Sequence, residues 1–336
     1  MSQATTEDAR AASLIAFGPV PSRRLGRSLG INHIPPKVCS YACVYCQLGR
    51  TLAMRSGRFE FYAPDVVAAA VREKVNVARE AGEVIDYLTL VPDGEPGLDA
   101  NLGRVIERLR PLNIPIAVIT NGSLIWRRDV QSDLMLADWV SVKVDAVEED
   151  TWRRIDRPYG SLRLTRIQEG LQAFAARYRG VLVSETMLVR DLNDRPEHLT
   201  ALADFLQQLK PARAYLAAPI RPPAEPWVRP PDETVFNQAY QILLARLNDV
   251  ELLIGYEGEA FARTGDVEQD LLSITAVHPM RREAVEDLLR SADADWSLVE
   301  GLLARNWLIE ADYAGHRFYL RNLQRVDEPS GAGAVL

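Results

Sequence analysis

The chain has 336 residues, of which 47% are hydrophobic and 25% are charged, and its formal net charge at pH 7 is −7. These proportions are typical of a folded globular protein and exclude disordered, collagen-like and coiled-coil chains. No run of about 18 apolar residues occurs and the first ten residues are polar, so we expect a cytoplasmic protein without a membrane segment. Residues 1–16 are expected to be a flexible N-terminus.

The segment that follows is strongly basic. Between Ala9 and Phe59 there is no Asp or Glu, whereas eight Lys or Arg residues occur. They are Arg10, Arg23, Arg24, Arg27, Lys37, Arg50, Arg55 and Arg58. Because the whole chain is acidic, this local excess of +8 favours a cationic surface for an anionic ligand. Chance surface basicity is the alternative explanation.

The three cysteines of the chain, Cys39, Cys43 and Cys46, lie within eight residues of each other. An odd number of cysteines in one short loop excludes a disulfide framework and indicates a metal or cluster site. A structural zinc site needs four ligands, and the nearby candidate for a fourth is His33, which is better explained as the end of a first strand at 27–32. A four-iron cluster held by three cysteines leaves one iron open. The spacing therefore favours an open cluster over zinc.

Buried strands alternate with amphipathic helices along the next 200 or so residues. Continuous apolar runs predict strands, and apolar residues at helical spacing predict helices. The predicted strands cover 27–32, 86–91, 114–120, 139–145, 181–189 and 214–219, and the predicted helices cover 65–81, 101–110, 162–178 and 195–209. This alternation predicts parallel strands with crossover helices, as an open sheet or a barrel, with ligands at the carboxyl ends of the strands.

Polar side chains follow or line several of these strands. Residues 91–96 (VPDGEP) follow the second strand, and 120–122 (TNG) end the third. On the fourth strand, Ser141, Lys143 and Asp145 share one face because successive side chains alternate. Three buried polar groups on one face are costly without a role, so this face is predicted to point into a site. A plain Lys143–Asp145 ion pair is the structural alternative.

The chain changes character after residue 265. Residues 220–231, with five prolines, predict a stiff ordered loop or a linker before that point. Beyond it, three short helices (267–273, 281–290 and 296–305) precede two strands (307–310 and 317–320) joined at Gly315. This order predicts a small C-terminal winged-helix domain over 266–323, followed by a disordered tail over 324–336.

The CxxxCxxC loop, with Tyr45 just before its last cysteine, resembles the radical S-adenosylmethionine (radical SAM) superfamily over roughly residues 17–258. The sequence around it, GPVPSRRLGRSLGIN and PPKVCSYACVYCQLGRT, is similar to the branch that synthesises wybutosine, a tricyclic base of transfer RNA. Enzymes of that branch carry three further cysteines for an auxiliary cluster, which this sequence lacks. The resemblance implies an α/β fold with a partial (β/α)6 barrel over 17–265.

The resemblance also implies roles for particular residues. Cys39, Cys43 and Cys46 would bind a [4Fe-4S] cluster. The residues expected to contact the cosubstrate S-adenosylmethionine (SAM) are Tyr45, Asp93, Gly94, Glu95, Thr120, Asn121, Ser141 and Glu185. Glu95 would meet the ammonium group of SAM, and Asp93 stands where the family has glycine. Lys143 and Asp145 would face the substrate as catalytic residues, and Glu185 and Met187 of the fifth strand are similarly placed.

Radical SAM chemistry needs one electron from a donor such as flavodoxin or ferredoxin, and it yields a 5′-deoxyadenosyl radical that abstracts hydrogen from a substrate carbon. The basic segment favours an anionic substrate, such as an RNA base. Radical chemistry on a small molecule or a peptide is the second hypothesis, and a cluster-sensing transcription regulator is the third. Residues 267–322 carry ten acidic and six basic side chains, which disfavours duplex DNA as a partner.

Overall fold

A computed structural model describes residues 15–91, 93–253, 266–277 and 279–322. The strands are β1 (Ala16–Ser22), β2 (Gly26–Ile31), β3 (Val38–Cys39), β4 (Ala53–Met54), β5 (Tyr87–Leu90), β6 (Ile116–Thr120), β7 (Trp139–Lys143), β8 (Val181–Met187), β9 (Arg213–Ala217), β10 (Val250–Leu253), β11 (Met280–Arg281), β12 (Leu308–Tyr313) and β13 (His316–Arg321). The helices are α1 (Pro64–Glu80), α2 (Leu102–Leu109), α3 (Arg128–Leu134), α4 (Glu149–Ile155), α5 (Leu164–Ala175), α6 (Pro196–Leu209), α7 (Glu233–Leu244), α8 (Val267–Val277), α9 (Arg282–Ser291) and α10 (Ser297–Ala304).

Both ends of the chain carried predictions of flexibility. Residues 1–14 and the tail at 324–336 lie outside the described residues. Ile15 and Ala16, which were predicted to belong to the flexible N-terminus, are buried, and Ala16 begins β1. The ordered fold therefore begins slightly earlier than predicted.

Eight strands form one sheet in the order β1-β2-β5-β6-β7-β8-β9-β10. All neighbours from β2 to β10 pair in parallel, and β1 pairs antiparallel with β2. Because the parallel strands follow chain order and are joined by helical crossovers, the sheet curls into a partial barrel. The predicted α/β class and partial barrel are confirmed. Four strands outside the C-terminal unit were not predicted: β1, which contains two prolines, the two-residue strands β3 and β4, and the four-residue β10.

The crossover helices begin and pack as their sequences indicate. α1 starts at Pro64, whose fixed φ suits the first helical turn, and Asp65 complements the helix dipole there. Val67, Val71 and Val75 recur at helical spacing and are fully buried in the main core. Among the described helices, none is both long and apolar enough to cross a membrane.

The central strand β7 presents two different faces. Val140 and Val142 are fully buried in the main core between sheet and helices. Trp139 belongs instead to a separate apolar cluster on the inner face of the barrel. Ser141 and Lys143 alternate with the valines and therefore share that inner face with Trp139. The predicted assignment of polar residues to one face of this strand is confirmed.

The C-terminal elements form a second, smaller unit. β11, β13 and β12 make an antiparallel sheet in that order, and α8, α9 and α10 pack on a shared core. The three predicted helices and two predicted strands are present, and β11 is additional. This unit contacts the barrel through Val20 of β1 and through an ion pair of 3.5 Å between Lys74 Nζ and Asp270 Oδ1. Its winged-helix identity and the domain boundaries stay predictions.

Candidate active site

Backbone contacts hold the cysteine loop against the carboxyl end of β5. The Lys37 N–H donates to the carbonyl of Asp93 (2.6 Å), and the Glu95 N–H donates to the carbonyl of Val38 (3.1 Å). A Cβ atom on Gly94 would overlap the Val38 carbonyl oxygen, so the two segments approach this closely only with glycine there. The predicted cosubstrate segment after β5 therefore lies directly beside the first cysteine.

The other side of the cysteine loop is fixed to the end of α4. The Val44 N–H donates to the carbonyl of Ile155 (2.9 Å). Trp152 Nε1, in the same helix, donates to the hydroxyl of Tyr41 (3.1 Å), and both side chains are buried. Because two elements far apart in sequence clamp the loop, the spacing of its three thiols is set by the fold.

Burial raises the pKa of two of these thiols, Cys39 and Cys43. Burial raises the pKa of Cys39 to about 12, and the Glu95 carboxylate adds to the rise. Burial also raises the pKa of Cys43 well above its ordinary value, with the Asp156 charge as the next cause. Thiolates at these positions therefore need compensating positive charge, which bound iron supplies. The donor set fits an iron–sulfur cluster held by cysteine thiolates.

Hydrogen-bond donors from neighbouring segments point at the sulfur atoms. Asn121 Nδ2 lies 3.6 Å from Cys39 Sγ, and Lys37 Nζ lies 3.8 Å from Cys46 Sγ. His33, the alternative zinc ligand, is completely buried, and burial lowers its pKa to about 4. In the described part of the chain, no three His, Cys, Asp or Glu side chains surround one metal-ion position. A structural zinc ion needs four ligands around one position, whereas a four-iron cluster takes each thiolate on a different iron.

Glu95 connects the carboxyl ends of β5 and β6. Its Oε1 accepts hydrogen bonds from Gly97 N–H (2.7 Å) and Thr120 Oγ1 (2.6 Å), and its Oε2 accepts one from Asn121 N–H (2.8 Å). Asn121 Nδ2 in turn donates to Ser40 Oγ in the cysteine loop (2.9 Å). Burial raises the pKa of Glu95 to about 7, and its three hydrogen bonds oppose that rise. Three of the predicted cosubstrate residues thus form one connected group.

Two other predicted residues carry buried polar atoms that lack a hydrogen-bond partner among the described residues. They are Asp93 Oδ1 and Ser141 Oγ, and their residues are 3% and 0% exposed. Burial raises the pKa of Asp93 to about 7, while the charges of Lys37 and Arg321 oppose the rise. Buried polar atoms are nearly always paired in folded proteins, so both atoms are suited to meet a ligand.

Lys143 lies at the centre of a charged group on the inner face of the barrel. Its Nζ is 3.2 Å from Glu185 Oε1, which follows from the pairing of the two residues across β7 and β8. The same Nζ is 3.6 Å from Asp145 Oδ1 and 4.9 Å from the centre of the Tyr45 ring. Arg24 forms a second ion pair with Glu185. The Lys143–Asp145 pair is therefore present as one part of a larger network.

Asp145 is enclosed by this network. Its side chain has no exposed surface; Oδ2 accepts a hydrogen bond from the Tyr45 hydroxyl, and Oδ1 accepts one from the Met187 N–H (2.6 Å). The Asp145 carbonyl accepts a further bond from Asn193 Nδ2 (2.8 Å). The carboxylate consequently fixes Tyr45 and the end of β8 in place.

Asp156 is a site residue that the sequence reasoning missed. Its Oδ1 lies 3.3 Å from Cys43 Sγ and 3.4 Å from the Tyr45 hydroxyl, and the residue is 3% exposed. Burial raises the pKa of Asp156 well above its ordinary value, and the charge of Asp145 adds to the rise. No sequence pattern marks this aspartate, because the fold brings it to a cysteine 113 positions earlier in the chain.

A cavity of about 270 Å³ lies at the carboxyl ends of the strands, and we call it the active-site cavity. Four basic side chains (Arg23, Arg24, Lys143 and Arg221) and the carboxylate of Glu185 line it, together with two of the three cysteines and the predicted Tyr45. Met187, the other candidate on β8, also lines it, whereas Cys39, Asp93, Gly94, Glu95, Thr120, Asn121, Ser141 and Asp145 do not.

The basic N-terminal residues do not form one surface, contrary to the expectation of a single cationic patch. Arg23 and Arg24 line the active-site cavity, whereas Arg27 pairs with a carboxylate just before β5. Arg58 is 7% exposed at its side chain and pairs with two carboxylates of α3. Arg10 lies outside the described residues. The run of like charges is dispersed because the strands, loops and turns between these residues point them in different directions.

Comparison with known proteins agrees with this architecture. Residues 34–206 match the radical SAM superfamily. The chain is 45% identical over 316 residues to a UPF0026 protein of Methanocaldococcus jannaschii, which covers 94% of this chain and 98% of that protein. It is 34% identical over 211 residues to a UPF0026 protein of Helicobacter pylori, covering 62% of this chain and 67% of that one. A solved radical SAM methyltransferase from Sphaerobacter thermophilus has a TM-score of 0.52 at 18% identity, covering 68% of this chain and 66% of that chain.

The superfamily match spans the cysteine loop, β5 to β8 and the helices between them, and these elements contribute part of the lining of the active-site cavity. The solved structure supports the same fold. The chain therefore belongs to the radical SAM superfamily, and it is an iron–sulfur enzyme whose cofactors are a [4Fe-4S] cluster and S-adenosylmethionine.

Proposed function

We propose that this enzyme removes a hydrogen atom from a carbon of an anionic substrate bound in the active-site cavity, with an RNA base as the specific candidate. The observation that carries the proposal is the charge of the cavity lining, where four basic side chains accompany one carboxylate. A cavity of one prevailing sign concentrates ligands of the opposite sign. The wybutosine-like sequence around the cysteine loop supports the RNA candidate.

In this proposal Cys39, Cys43 and Cys46 hold the cluster. When bound, the cluster and SAM supply the 5′-deoxyadenosyl radical, using an electron from a donor such as flavodoxin or ferredoxin. The side chains of Asn121 and Lys37, 3.6 and 3.8 Å from two of the sulfur atoms, donate toward the thiolates. Donors to cluster sulfurs raise the reduction potential, so these two residues would favour acceptance of the electron.

We assign the cosubstrate to the space between the cysteine loop and the carboxyl ends of β5, β6 and β7. The buried atoms Asp93 Oδ1 and Ser141 Oγ support this assignment, because a ligand there would satisfy both. Glu95 holds Thr120 and Asn121 through hydrogen bonds of 2.6 and 2.8 Å, so these groups are in place before SAM arrives. A carboxylate has about four acceptor sites and Glu95 uses three, which leaves one for the SAM ammonium.

Lys143 is the residue that we assign to substrate binding. Its ammonium lines the active-site cavity and is held between Glu185 and Asp145 over the Tyr45 ring. An anionic substrate group would compete with Glu185 for Lys143 and Arg24, and the cations would not have to move far. Because Asp145 is enclosed, we assign it a positioning role, in which it fixes the Tyr45 hydroxyl beside the cysteine loop.

A small anionic molecule or a peptide residue is the second candidate substrate. The cavity volume of about 270 Å³ favours it, since ligand pockets commonly run from about 300 to 1,000 Å³. A single base or a comparably small group fits such a space, whereas a larger folded substrate would have to present one protruding residue.

The test is anaerobic incubation of the reconstituted, reduced enzyme with SAM and candidate substrates, with chromatographic measurement of 5′-deoxyadenosine. RNA should increase deoxyadenosine formation, and carbon-deuterated RNA should transfer deuterium into it. Lys143→Gln should raise the KM for the substrate about ten- to hundredfold, the cost of one lost charged hydrogen bond. Lys210→Gln, at an exposed lysine after α6, is the matched control and should leave KM unchanged. Equal KM values for both variants would refute the assignment of Lys143.

If no RNA stimulates deoxyadenosine formation but a small anionic compound does, the second candidate replaces the first. If neutral compounds stimulate it as strongly as anionic ones of similar size, the charge of the cavity lining does not select the substrate. That outcome would contradict the proposed substrate class while leaving the radical SAM chemistry intact.

A further inference from the structure

A second, larger cleft of about 530 Å³ lies beside the active-site cavity. Five arginines and one tryptophan line it, and we call it the arginine cleft: Arg153, Arg154, Arg157, Arg190, Arg229 and Trp227. The remaining lining residues are a leucine and a single aspartate. This excess of five cations over one carboxylate was not apparent from the sequence, because the residues come from three separate segments.

The fold brings these three segments together. Arg153 and Arg154 end α4, Arg190 follows β8, and Trp227 and Arg229 belong to the proline-rich loop at 220–231. The Arg190 N–H donates to the carbonyl of Arg229 (3.0 Å), which joins two of the walls through their backbones. This hydrogen bond therefore holds the backbones of two walls of the cleft together.

Some of these arginines form ion pairs with carboxylates of the protein and others do not. Arg153 pairs with Glu149 and Arg157 with Glu225, each at 2.6 Å. Across the ranges that the structure describes, the side chains of Arg154 and Arg190 form no ion pair, and both residues are exposed.

Two further features of the cleft are suited to a nucleic acid. The Arg229 guanidinium donates to the carbonyls of Pro226 (2.5 Å) and Val228 (2.8 Å), so its position is fixed, and no carboxylate of the described residues forms an ion pair with it. Trp227 is 50% exposed, which is unusual for an indole that could be buried elsewhere. Fixed cations beside an accessible aromatic ring are the combination that binds single-stranded nucleic acid, through phosphate contacts and base stacking.

We propose that the arginine cleft binds the phosphodiester backbone of single-stranded RNA, with one unpaired base stacked on Trp227. An acidic peptide would also be attracted to the arginines, but it would leave the exposed indole without a stacking partner. Duplex RNA presents its phosphates but keeps its bases paired, so it would likewise make no use of Trp227. The observations therefore favour a single strand.

Two segments of the chain contribute residues to both the arginine cleft and the active-site cavity. The proline-rich loop contributes Ile220 and Arg221 to the cavity, and Trp227 and Arg229 to the cleft. At the end of β8, Met187 lines the cavity and Arg190, three residues later, lines the cleft, a chain distance of at most about 10 Å. This inference rests on the proposed function, since RNA held in the cleft would be the substrate whose reacting base enters the cavity.

The experiment is fluorescence anisotropy with the full-length, anaerobically purified protein and a fluorescein-labelled single-stranded RNA of about 12 nucleotides, which is within the usual range of site sizes. Three unneutralised arginines predict a slope of log Kobs against log salt of about −2, since each phosphate contact on a single strand contributes about −0.7. Arg154→Gln with Arg190→Gln should reduce that slope to about −0.7 and weaken binding about 25-fold at 0.1 M salt. Trp227→Ala should weaken binding about tenfold without changing the slope.

The matched control is Arg72→Gln with Arg179→Gln, two exposed arginines outside the cleft, which should bind RNA as the wild type does. Equal affinity of the cleft variant and this control would overturn the inference. If polyglutamate displaces the labelled RNA at the same concentration as unlabelled RNA does, the cleft is a site for acidic peptides and the proposal of RNA binding is wrong. Equal binding of duplex and single-stranded RNA, with no effect of Trp227→Ala, would refute the stacked base.

This binding assay needs no turnover, so its result is separate from that of the proposed function. RNA that binds the cleft but never increases deoxyadenosine formation would refute the proposed RNA chemistry and leave the binding site standing. If RNA increases deoxyadenosine formation while the cleft variant binds RNA with full affinity, the binding site is refuted and the proposed RNA chemistry stands.

Discussion

Replacing Gly94 by alanine tests whether the cysteine loop must lie directly against the carboxyl end of β5. The added Cβ would overlap the Val38 carbonyl oxygen, whereas real Cβ atoms essentially never come within 3.0 Å of another atom. That oxygen belongs to the backbone, which cannot rotate aside as a side chain would. Removing the overlap needs a shift on the order of 1 Å, and a 1 Å misplacement can cost about a hundredfold in rate.

The same shift breaks the two hydrogen bonds that join these segments, Lys37 N–H to the Asp93 carbonyl and Glu95 N–H to the Val38 carbonyl. At about 0.5–1.5 kcal/mol each, their loss should destabilise the fold by about 1–3 kcal/mol. Gly94→Ala should therefore fold, because a domain of this kind has about 5–15 kcal/mol of stability. Its SAM affinity and its deoxyadenosine formation should both fall, the latter about a hundredfold.

The assays are iron and sulfide content after anaerobic reconstitution, SAM binding by titration, and the rate of deoxyadenosine formation. Gly160→Ala is the matched control. Gly160 also lies in a loop near the site, a few residues after α4, but a Cβ atom added there would meet no atom within 4 Å. If Gly94→Ala matches Gly160→Ala in SAM affinity and rate, the close approach of the two segments does not matter for the site.

Three further predictions follow from the same geometry. Cys43→Ala should lose the cluster absorbance and all deoxyadenosine formation; stoichiometric zinc without iron in the wild type would contradict the cluster. Glu95→Gln should weaken SAM binding about ten- to hundredfold while the iron content stays constant, and an unchanged affinity would exclude contact with the ammonium group. Because burial lowers the pKa of His33 to about 4, this residue contributes stability that is present above pH 6.5 and is lost as the pH falls toward 4. Between pH 7 and pH 5 the wild type should lose roughly 2 kcal/mol more unfolding free energy than His33→Gln in denaturant titrations, and equal losses would refute a neutral buried imidazole.

The sequence predicted the parts of the fold that depend on local periodicity. Six parallel strands and the helices α1, α2, α5 and α6 were predicted because each buries an apolar run or stripe that its own residues define, whereas α3, α4 and α7 were not predicted. β1 and β10 were missed because their order depends on a neighbour: β1 pairs with β2 despite two prolines, and β10 is a four-residue strand completed by β9. Pairing between distant segments is not visible in the periodicity of either one.

The site divides in the same way. The sequence could predict that Lys143 and Glu185 point to the inner face of the sheet from β7 and β8, because the alternation of side chains along a strand is a local rule. Their 3.2 Å contact, and the hydrogen bonds that enclose Asp145, required the register of β7 and β8. Asp156 and the arginine cleft gave no signal, because their residues become neighbours only when loops from different crossovers meet.

The acidic C-terminal unit has contacts within the chain that account for its position without DNA. The Tyr313 hydroxyl, beside the turn between β12 and β13, donates to the carbonyl of Pro219 (2.5 Å), which lines the active-site cavity at the start of the proline-rich loop. Arg321 of β13 is close enough to Asp93 for its charge to oppose the rise in that carboxyl's pKa on burial. Val20 of β1 packs into the core of the unit. The unit therefore contacts a residue that lines the active-site cavity, so we expect a change in its hairpin to reach that cavity.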